Sequence, residues 1–403
     1  MPEPFEFNPL DPQVRRHPYA LYERGRREFP VFRHEGLPIP VHSVFRYEDT
    51  QAILRDAETW SNEFGGGIEA DEIGDEAPPS MIGTDAPRHT RLRSLVNKAF
   101  TPRIVQRLEP RMAAIAGELL DEALEAEEVD LVQAFTYPLP VVVIAEIIGV
   151  PSSDREMFKG WSDRAIANLG LAFFAGPDPD RIRRQRDLFA EMRSYFAALA
   201  DERRKQPQED LLTGLVEAEH EGSRLSHDEM VSMLVLLLVA GNETTTTLIG
   251  NAALALHDHP DEQKRLRDDP GLMPRAIDEV LRFSSPVQFD PRRATRNVEL
   301  HGVEIQKDEM VLTWIGSANR DETVFDRPDV FDVGREKNPH LAFGFGSHYC
   351  LGHNLARLEA QVAIQTLLER TARFERTDDD ELPLHSSPVF RAASRIPVRL
   401  YPK

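Results

Sequence analysis

The amino-acid sequence predicts a mainly α-helical fold with a smaller β region. Apolar residues recur at helical spacing over most of the chain, whereas strand-like runs are short and few. No Pro- or Ser-rich linker and no internal repeat divides the 403 residues. We therefore expect one large domain over residues 1–403, with a β-rich part at about 30–46 and a helical bulk at about 85–285 and 351–370.

Hydrophobic spacing predicts the individual elements in order. Two short apolar runs, 30–33 and 39–44, flank a polar turn and indicate a hairpin, and the Gly-, Pro- and acid-rich residues 61–84 indicate a loop. Helices are predicted at 90–99, 104–126, 139–148, 181–206, 227–257, 273–283 and 351–370. Strands are predicted around 298–305 and 311–315, and short strands close the chain.

Composition and charge exclude several classes of function. The chain carries 48 basic and 68 acidic residues, a net charge of −20, which disfavours binding to nucleic acid. Its most apolar stretch, 233–241, has less than half of the ~20 residues that a membrane span needs, so we expect no membrane anchor. Residues 1–12 hold three acidic residues and no apolar run, so we expect no secretory signal and a cytoplasmic location. We also expect the protein to be a monomer.

The single cysteine, Cys350, lies in a glycine-interrupted loop, 343–352, just before a predicted helix. The N–H groups and positive partial charge of a helix N-terminus lower the pKa of a thiol. Gly346 and Gly352 leave room for a flat cofactor to approach the backbone. A lone cysteine is otherwise commonly an inert, buried side chain, which is the alternative interpretation.

The spacing of Phe343, Gly346, His348, Cys350 and Gly352 matches the haem-binding loop of the cytochromes P450. The chain thus resembles the soluble bacterial haem-thiolate monooxygenases of this family, with motifs in family order from about residue 80 to 355. The resemblance implies the cytochrome P450 fold and haem b as cofactor. Cys350 would be the axial iron ligand, and His348 would bind a haem propionate.

Three further cationic residues are candidates for binding the haem propionates. His89 and Arg93 are four residues apart and share one helix face, which would otherwise be an ordinary solvated face. By resemblance they lie over the haem edge, and Arg292 matches another propionate-binding arginine. Two buried carboxylates need such donors.

The predicted helix 227–257 is interrupted by small and polar residues. From the residues alone, Thr244 would bond to a carbonyl one turn earlier and Glu243 would be solvated. The resemblance implies instead that Ala240 and Gly241 form the oxygen-binding groove. Glu243 and Thr244 would then be catalytic, as the relay acid and the hydroxyl that guides a proton to the bound oxygen molecule. Glu243 stands where the family more commonly has Asp.

Glu279 and Arg282 match the family's Glu-x-x-Arg, a buried structural pair. The family often adds a third member, an arginine just before the phenylalanine at Phe331, where this chain has Val330. The third member is therefore either missing or supplied by another arginine.

Family register also places apolar side chains around the haem as a substrate pocket, although each alone is equally consistent with ordinary core. The pocket residues are Ile82, Leu236, Val239, Ala240, Val287, Phe289, Val389 and Phe390. Gln288 would be a polar contact, and Asp290 would pair with Arg292.

The resemblance implies a monooxygenase that inserts one oxygen atom from O2 into a small hydrophobic molecule. Electrons would come from a separate ferredoxin or flavodoxin with its NAD(P)H reductase, docked on a basic set: Arg91, Lys98, Arg103 and Arg357. One alternative is a haem-thiolate peroxygenase or rearrangement enzyme, whose members commonly lack the acid and hydroxyl pair. The other is a non-catalytic haem carrier or sensor, in which a proton relay has no use.

Overall fold

The computed structural model describes the whole chain except residues 1–4, 64–79, 98–99, 101, 168, 177, 218, 221–222 and 379. The fold is mainly α-helical with a smaller β region, as predicted. The helices are α1 Pro12–Arg16, α2 Tyr19–Glu28, α3 Tyr47–Arg55, α4 Arg88–Asn97, α5 Pro102–Gln106, α6 Glu109–Leu124, α7 Pro138–Ile148, α8 Arg155–Ile166, α9 Leu171–Ala175, α10 Pro179–Lys205, α11 Leu211–Glu217, α12 His227–Asp258, α13 Pro260–Asp268, α14 Met273–Phe283, α15 Ile315–Ala318 and α16 His353–Arg370.

The strands are short and form four small sheets among the described residues. They are β1 Val31–Arg33, β2 Val41–Val44, β3 Trp60–Ser61, β4 Val129–Asp130, β5 Glu219–His220, β6 Ser223–Arg224, β7 Asp290–Ala294, β8 Val298–Leu300, β9 Val303–Ile305, β10 Met310–Thr313, β11 Thr371–Arg376 and β12 Pro397–Pro402. The largest sheet has the order β1-β2-β10-β7-β3, so it joins the N-terminal hairpin to strands from much later in the chain.

Strand register in this sheet fixes the position of Arg292. Strand β10 runs parallel to β2 and antiparallel to β7, and Arg292 lies opposite Val311. Its side chain is 2% exposed. A cation is therefore held below the surface by the pairing of two central strands, which leaves little freedom for the backbone that carries it.

Helix α12 runs through the middle of the helical part. It begins with a capping box, in which the Ser226 hydroxyl accepts from the Glu229 amide and the Glu229 carboxylate accepts from the Ser226 amide. Among the described residues this one helix is long and apolar enough to cross a membrane, and 61% of its most apolar window is buried inside the fold. Such burial is typical of the core helix of a large domain.

Several predicted boundaries need correction. The helix predicted over 104–126 is two helices, α5 and α6, because Pro110 in the first turn of α6 has no N–H to donate and cannot continue a helix from the preceding turn. The strand predicted over 298–305 is a hairpin, β8 and β9, that turns at Gly302 with φ +76°. Helices α1, α2, α3, α8, α9, α11, α13 and α15 were not predicted. Residues 64–79 of the predicted loop lie outside the described residues.

Glu279 and Arg282 are fully buried, and two hydrogen bonds of 2.8 Å join them. A second arginine, Arg335, donates from Nε to Glu279 Oε2 at 2.9 Å. The Val330 carbonyl accepts from Arg282 at 3.2 Å, so the position that lacks the family's arginine contributes a backbone acceptor. The open question of the third member is answered: Arg335 completes a triad with one acid and two cations.

Replacing Glu279 by Gln should destabilise the protein, because it leaves two buried guanidinium groups without a negative charge. The expected loss is about 3–5 kcal/mol in the free energy of unfolding. Chemical denaturation of the purified protein measures it. Asp326→Asn is the matched control, because this acid is 90% exposed and pairs with Arg327 only at the surface. Equal losses for the two variants would contradict the structural role of the triad.

Candidate functional site

The loop that carries Cys350 is closed by its own backbone. The Cys350 amide donates to the Phe343 carbonyl at 2.9 Å, and residues Gly346–His348 between them form a single 3-10 turn. Helix α16 follows at His353, with Gly352 as its N-cap residue. The sulfur therefore lies at the start of a helix whose first amides have no carbonyl partner within the helix.

Two glycines of this loop have different reasons to be glycine. A Cβ on Gly346 would lie 2.5 Å from the Leu54 carbonyl oxygen, and its φ of +74° also disfavours a side chain. Gly346 thus allows the loop to pack against the end of α3, a reason for glycine that the sequence did not reveal. A Cβ on Gly352 would meet nothing within 4 Å, so open space does lie beside this residue.

Opposing effects act on ionisation of the Cys350 thiol. Burial raises its pKa, whereas the backbone amides of Gly352 and His353 and the charges of Arg93 and Arg357 act in the other direction. These donors and charges favour the thiolate, which is the form that binds a metal. The surroundings of the sulfur therefore suit a site where a bound cation completes the stabilisation of the anion.

The predicted docking set for an electron donor is only partly a free surface. The Arg357 Nε donates to Asp278 at 2.7 Å, and the guanidinium lies 4.5 Å from the ring centre of Phe343. Arg91 forms a hydrogen bond with Glu229. Arg103 is exposed, and Lys98 lies outside the described residues. Arg357 is thus better described as a support of the cysteine loop than as a surface charge.

The candidate propionate-binding residues converge. The His89 and His348 rings are stacked with their centres 3.9 Å apart. Burial and the positive charges of His89, Arg292 and Arg93 lower the pKa of His348 to about 3. The Nε2 atom of buried His89 has no hydrogen-bond partner. A largely buried cluster of donors, with His89 and Arg292 buried and Arg93 and His348 partly exposed, repels itself and leaves a ring nitrogen unpaired, which suits a dianionic ligand.

The cluster also has protein partners that tie it to the rest of the site. Arg93 donates to the Tyr349 carbonyl at 2.5 Å, next to the cysteine. Arg292 donates to Asp290 at 2.5 Å, the pairing that the sequence predicted. The donor cluster and the thiol therefore belong to one site. Their chemistry fits haem b, which brings iron for the sulfur and two carboxylates for the donors.

Helix α12 has an accessible face in the middle of its otherwise buried length. Ala240 is exposed and Gly241 is partly exposed, while Asn242 and Glu243 on the other faces are buried. The Thr244 hydroxyl donates to the Ala240 carbonyl at 2.8 Å. This back-bond is the arrangement expected of an isolated threonine, and it leaves the hydroxyl oxygen to act as an acceptor.

Glu243 is buried rather than solvated, with 8% of its surface exposed. Burial and the negative charge of Asp163 raise its pKa to about 7. The Thr247 hydroxyl donates to Glu243 Oε1 at 3.4 Å, and His385 Nε2 lies 3.4 Å from the same oxygen. A carboxyl group with a pKa near 7 can both hold and release a proton at neutral pH.

The predicted substrate-pocket residues divide into two groups. Ile82, Leu236, Val239, Ala240 and Val287 are exposed or partly exposed. The other three, Phe289, Val389 and Phe390, are buried in an aromatic cluster with Trp314, which favours the core interpretation for them.

The remaining polar candidate of the pocket, Gln288, has partners inside the protein. It accepts from the Tyr22 hydroxyl at 2.9 Å and donates to the Ser285 carbonyl at 2.7 Å. Its polar atoms are therefore engaged within the fold.

Sequence reasoning missed three residues at or near the site. Arg335 and His385 contact site residues that are distant in sequence, and Asp163 lies on a helix that was not predicted. Each acts through a tertiary contact, which apolar spacing along the sequence does not describe.

Comparison with known proteins gives one consistent family. The family model described as Cytochrome P450 matches residues 2–270 and 271–396. Cytochrome P450 109 of Bacillus spizizenii is 40% identical over 384 residues, which cover 95% of this chain and 92% of that protein.

Two solved structures are similar over almost the full length. One is PksS, the cytochrome P450 of the bacillaene polyketide synthase of Bacillus subtilis 168, with a TM-score of 0.90 and 35% identity over 98% of this chain and 100% of that chain. The other is P450BioI in complex with hexadec-9Z-enoic acid ligated acyl carrier protein, with a TM-score of 0.88 and 34% identity over 96% of this chain and 99% of that chain.

Replacing Gly346 by Ala should destabilise the loop, because a Cβ there meets the Leu54 carbonyl and adopts a positive φ. Gly36→Ala is the matched control, since Gly36 has φ +75° and nothing within 4 Å of a Cβ. The control should lose about 1–2 kcal/mol from φ alone. Gly346→Ala should lose about 1–3 kcal/mol more, measured by denaturation. Indistinguishable losses would show that the loop does not depend on this close contact.

Proposed function

Because the chain belongs to the cytochrome P450 family, whose members are haem-thiolate proteins, we propose that it is a monooxygenase acting on a small hydrophobic molecule. Oxygenation of organic molecules is the general activity of the family, and haem b is its cofactor. The observation that carries the proposal is Glu243, a buried carboxyl group with a pKa of about 7 that precedes Thr244 in the middle of α12. A cofactor-binding protein without chemistry has no use for such a group.

When bound, the haem supplies the binding of O2 and cleavage of its O–O bond, with Cys350 as the thiolate ligand to iron. His89, Arg93, Arg292 and His348 would hold the propionates. Because they lie on α4, β7 and the cysteine loop, they would hold the cofactor from three separate elements. The open space beside Gly352 would allow the backbone to approach it closely.

The residues of α12 would leave space for O2, accept a hydrogen bond and supply protons. Ala240 and Gly241 are small, so the helix leaves space for a diatomic molecule on its accessible face. The Thr244 hydroxyl oxygen would accept a hydrogen bond from a water molecule or a protonated group, while its own hydrogen remains hydrogen-bonded to the Ala240 carbonyl oxygen. Glu243 would hold the next proton and release it to a water molecule that donates a hydrogen bond to Thr244, since the carboxyl group changes charge near neutral pH.

The substrate is expected to be bound mainly by apolar burial. Ile82, Leu236, Val239 and Val287 present accessible apolar surface and no charged group. Position within this apolar space, rather than charge, would select the carbon that reacts. Terpenoids, fatty acyl chains, steroids and polyketides all suit this chemistry. The acyl chain on the carrier protein in the P450BioI complex is an example from a relative.

A separate ferredoxin or flavodoxin with its NAD(P)H reductase would deliver the electrons, in the cytoplasm. Assays with NADPH and a surrogate ferredoxin system test the function. We expect substrate-dependent consumption of NADPH and O2 with oxygenated product. Product formed with hydrogen peroxide but not with NADPH would instead indicate the peroxygenase alternative. Reduction of the haem-loaded protein without formation of any oxygenated product would indicate a carrier or sensor.

Glu243→Gln should lower the rate of product formation about tenfold or more, because an amide keeps the shape of the side chain but cannot carry a proton. In the unmodified protein the rate should fall as pH rises above about 7, where Glu243 loses the proton that it donates. This dependence should disappear in the variant. Initial rates between pH 6 and 9 measure both effects. Asp228→Asn, an exposed acid at the start of the same helix, is the control and should behave like the unmodified protein.

A further inference from the structure

The partner of Glu243 comes from the C-terminal part of the chain. His385 follows α16 and β11, and its Nε2 atom lies 3.4 Å from Glu243 Oε1. The side chains of His385 and Glu243 are 16% and 10% exposed, so both atoms are largely shielded from solvent. A polar contact in such surroundings affects the charge of its members more than the same contact at the surface does.

The surroundings of His385 determine which ring nitrogen carries the proton. The Ser387 amide donates to Nδ1 at 3.1 Å, so Nδ1 is an acceptor. In a neutral imidazole the hydrogen then belongs to Nε2, the atom that faces Glu243. Burial and the charge of Arg15 lower the pKa of His385, which favours the neutral ring at pH 7. The Nε2–H group of His385 therefore lies beside the carboxyl group, at a distance of 3.4 Å that is longer than an ordinary hydrogen bond between a ring nitrogen and a carboxylate oxygen.

The loop around His385 is held in place by several contacts. Arg15 donates to the carbonyls of His385 at 2.5 Å and of Ser387 at 2.7 Å. The Phe390 ring packs edge-on against the imidazole, with the ring centres 5.4 Å apart. Fixing both the backbone and the ring plane limits the directions in which Nε2 can point.

The other charged or titratable groups around Glu243 do not donate a hydrogen bond to its carboxyl group. Asp163 on α8 repels the carboxylate, and the Tyr137 hydroxyl is directed to Asp163. Arg15 donates to the carbonyls of His385 and Ser387 and not to Glu243. The Thr247 hydroxyl donates to Glu243 Oε1 at 3.4 Å. Of these groups, His385 is the one that brings a ring nitrogen close to the carboxyl group, at 3.4 Å.

We propose that His385 is a positioning residue for Glu243, whose Nε2–H group orients the carboxyl group and stabilises its ionised form. The proposal rests on the proposed function of Glu243 as the relay acid. It gives the C-terminal loop a role in proton delivery, in addition to its packing against the aromatic cluster. The ring does not carry a proton across itself, because the Ser387 amide faces Nδ1.

Loss of the donor should make ionisation of Glu243 harder. Burial and Asp163 would then act with less opposition, so the pKa of Glu243 should rise by about one, a tenfold change in its ionisation constant. His385→Phe removes the donor and keeps a flat ring. His385→Gln keeps an N–H donor at about the position of Nε2. His385→Asn places its amide on the Nδ1 side and does not reach Glu243.

The test is a pH titration of the haem-loaded protein by infrared difference spectroscopy of protonated carboxyl groups. The band absent from Glu243→Gln identifies Glu243. For His385→Phe and His385→Asn, we expect the titration midpoint of Glu243 to move to higher pH, corresponding to an about tenfold higher proton affinity. For His385→Gln, we expect the midpoint to stay near that of the unmodified protein. His17→Phe, whose side chain is 71% exposed, is the control and should change nothing. Haem content and the unfolding midpoint are measured for each variant.

Two results would overturn the proposal. One is an unchanged midpoint in whichever of His385→Phe and His385→Asn folds and retains haem. The other is a shift in His385→Gln as large as in those variants, since the N–H donor would then be irrelevant. Turnover separates this inference from the proposed function. Absence of oxygenated product from the unmodified protein would contradict the function, whereas normal product formation with an unshifted midpoint would contradict the role of His385 alone.

Discussion

The site depends on how one buried sulfur atom can carry a negative charge inside a folded protein. Burial is the larger effect and raises the pKa of the Cys350 thiol, while two backbone amides and the charges of Arg93 and Arg357 act in the other direction. A bound cation would complete the stabilisation of the thiolate, which is the form that binds a metal. The cysteine loop, the start of α16 and the packing of Gly346 against the end of α3 all serve to hold this arrangement.

Around the sulfur, the protein distributes its charges in a way that a haem explains. A chain with a net charge of −20 gathers His89, Arg93, Arg292 and His348 at one buried place. On α12, Glu243 is a buried acid whose pKa is raised rather than lowered. The cationic cluster is suited to holding the cofactor's carboxylates, and Glu243 to moving protons. The Glu279, Arg282 and Arg335 triad is a third buried charge group, in which one acid is shared by two cations.

The sequence predicted the fold class, the long helices and the loop around Cys350, because these depend on local spacing. Helix α14 was predicted at its observed bounds, and α12 to within one residue, since apolar periodicity is strong in both. Arg335 could not be predicted, because it reaches Glu279 across 56 residues through a fold that spacing does not describe. The partner of Gly346 and the role of His385 are hidden for the same reason. Phe289 was predicted to line the pocket and is buried in the core instead, because apolar residues in core and pocket have the same sequence pattern.

The most direct test of a haem bound through Cys350 is the absorption spectrum of the reduced protein under carbon monoxide. Thiolate ligation predicts a strongly red-shifted Soret band, and Cys350 is the one cysteine of the chain. We expect that band in the unmodified protein and its loss in Cys350→Ala. A red-shifted band that persists in Cys350→Ala, or one that is absent from the unmodified, haem-loaded protein, would contradict it.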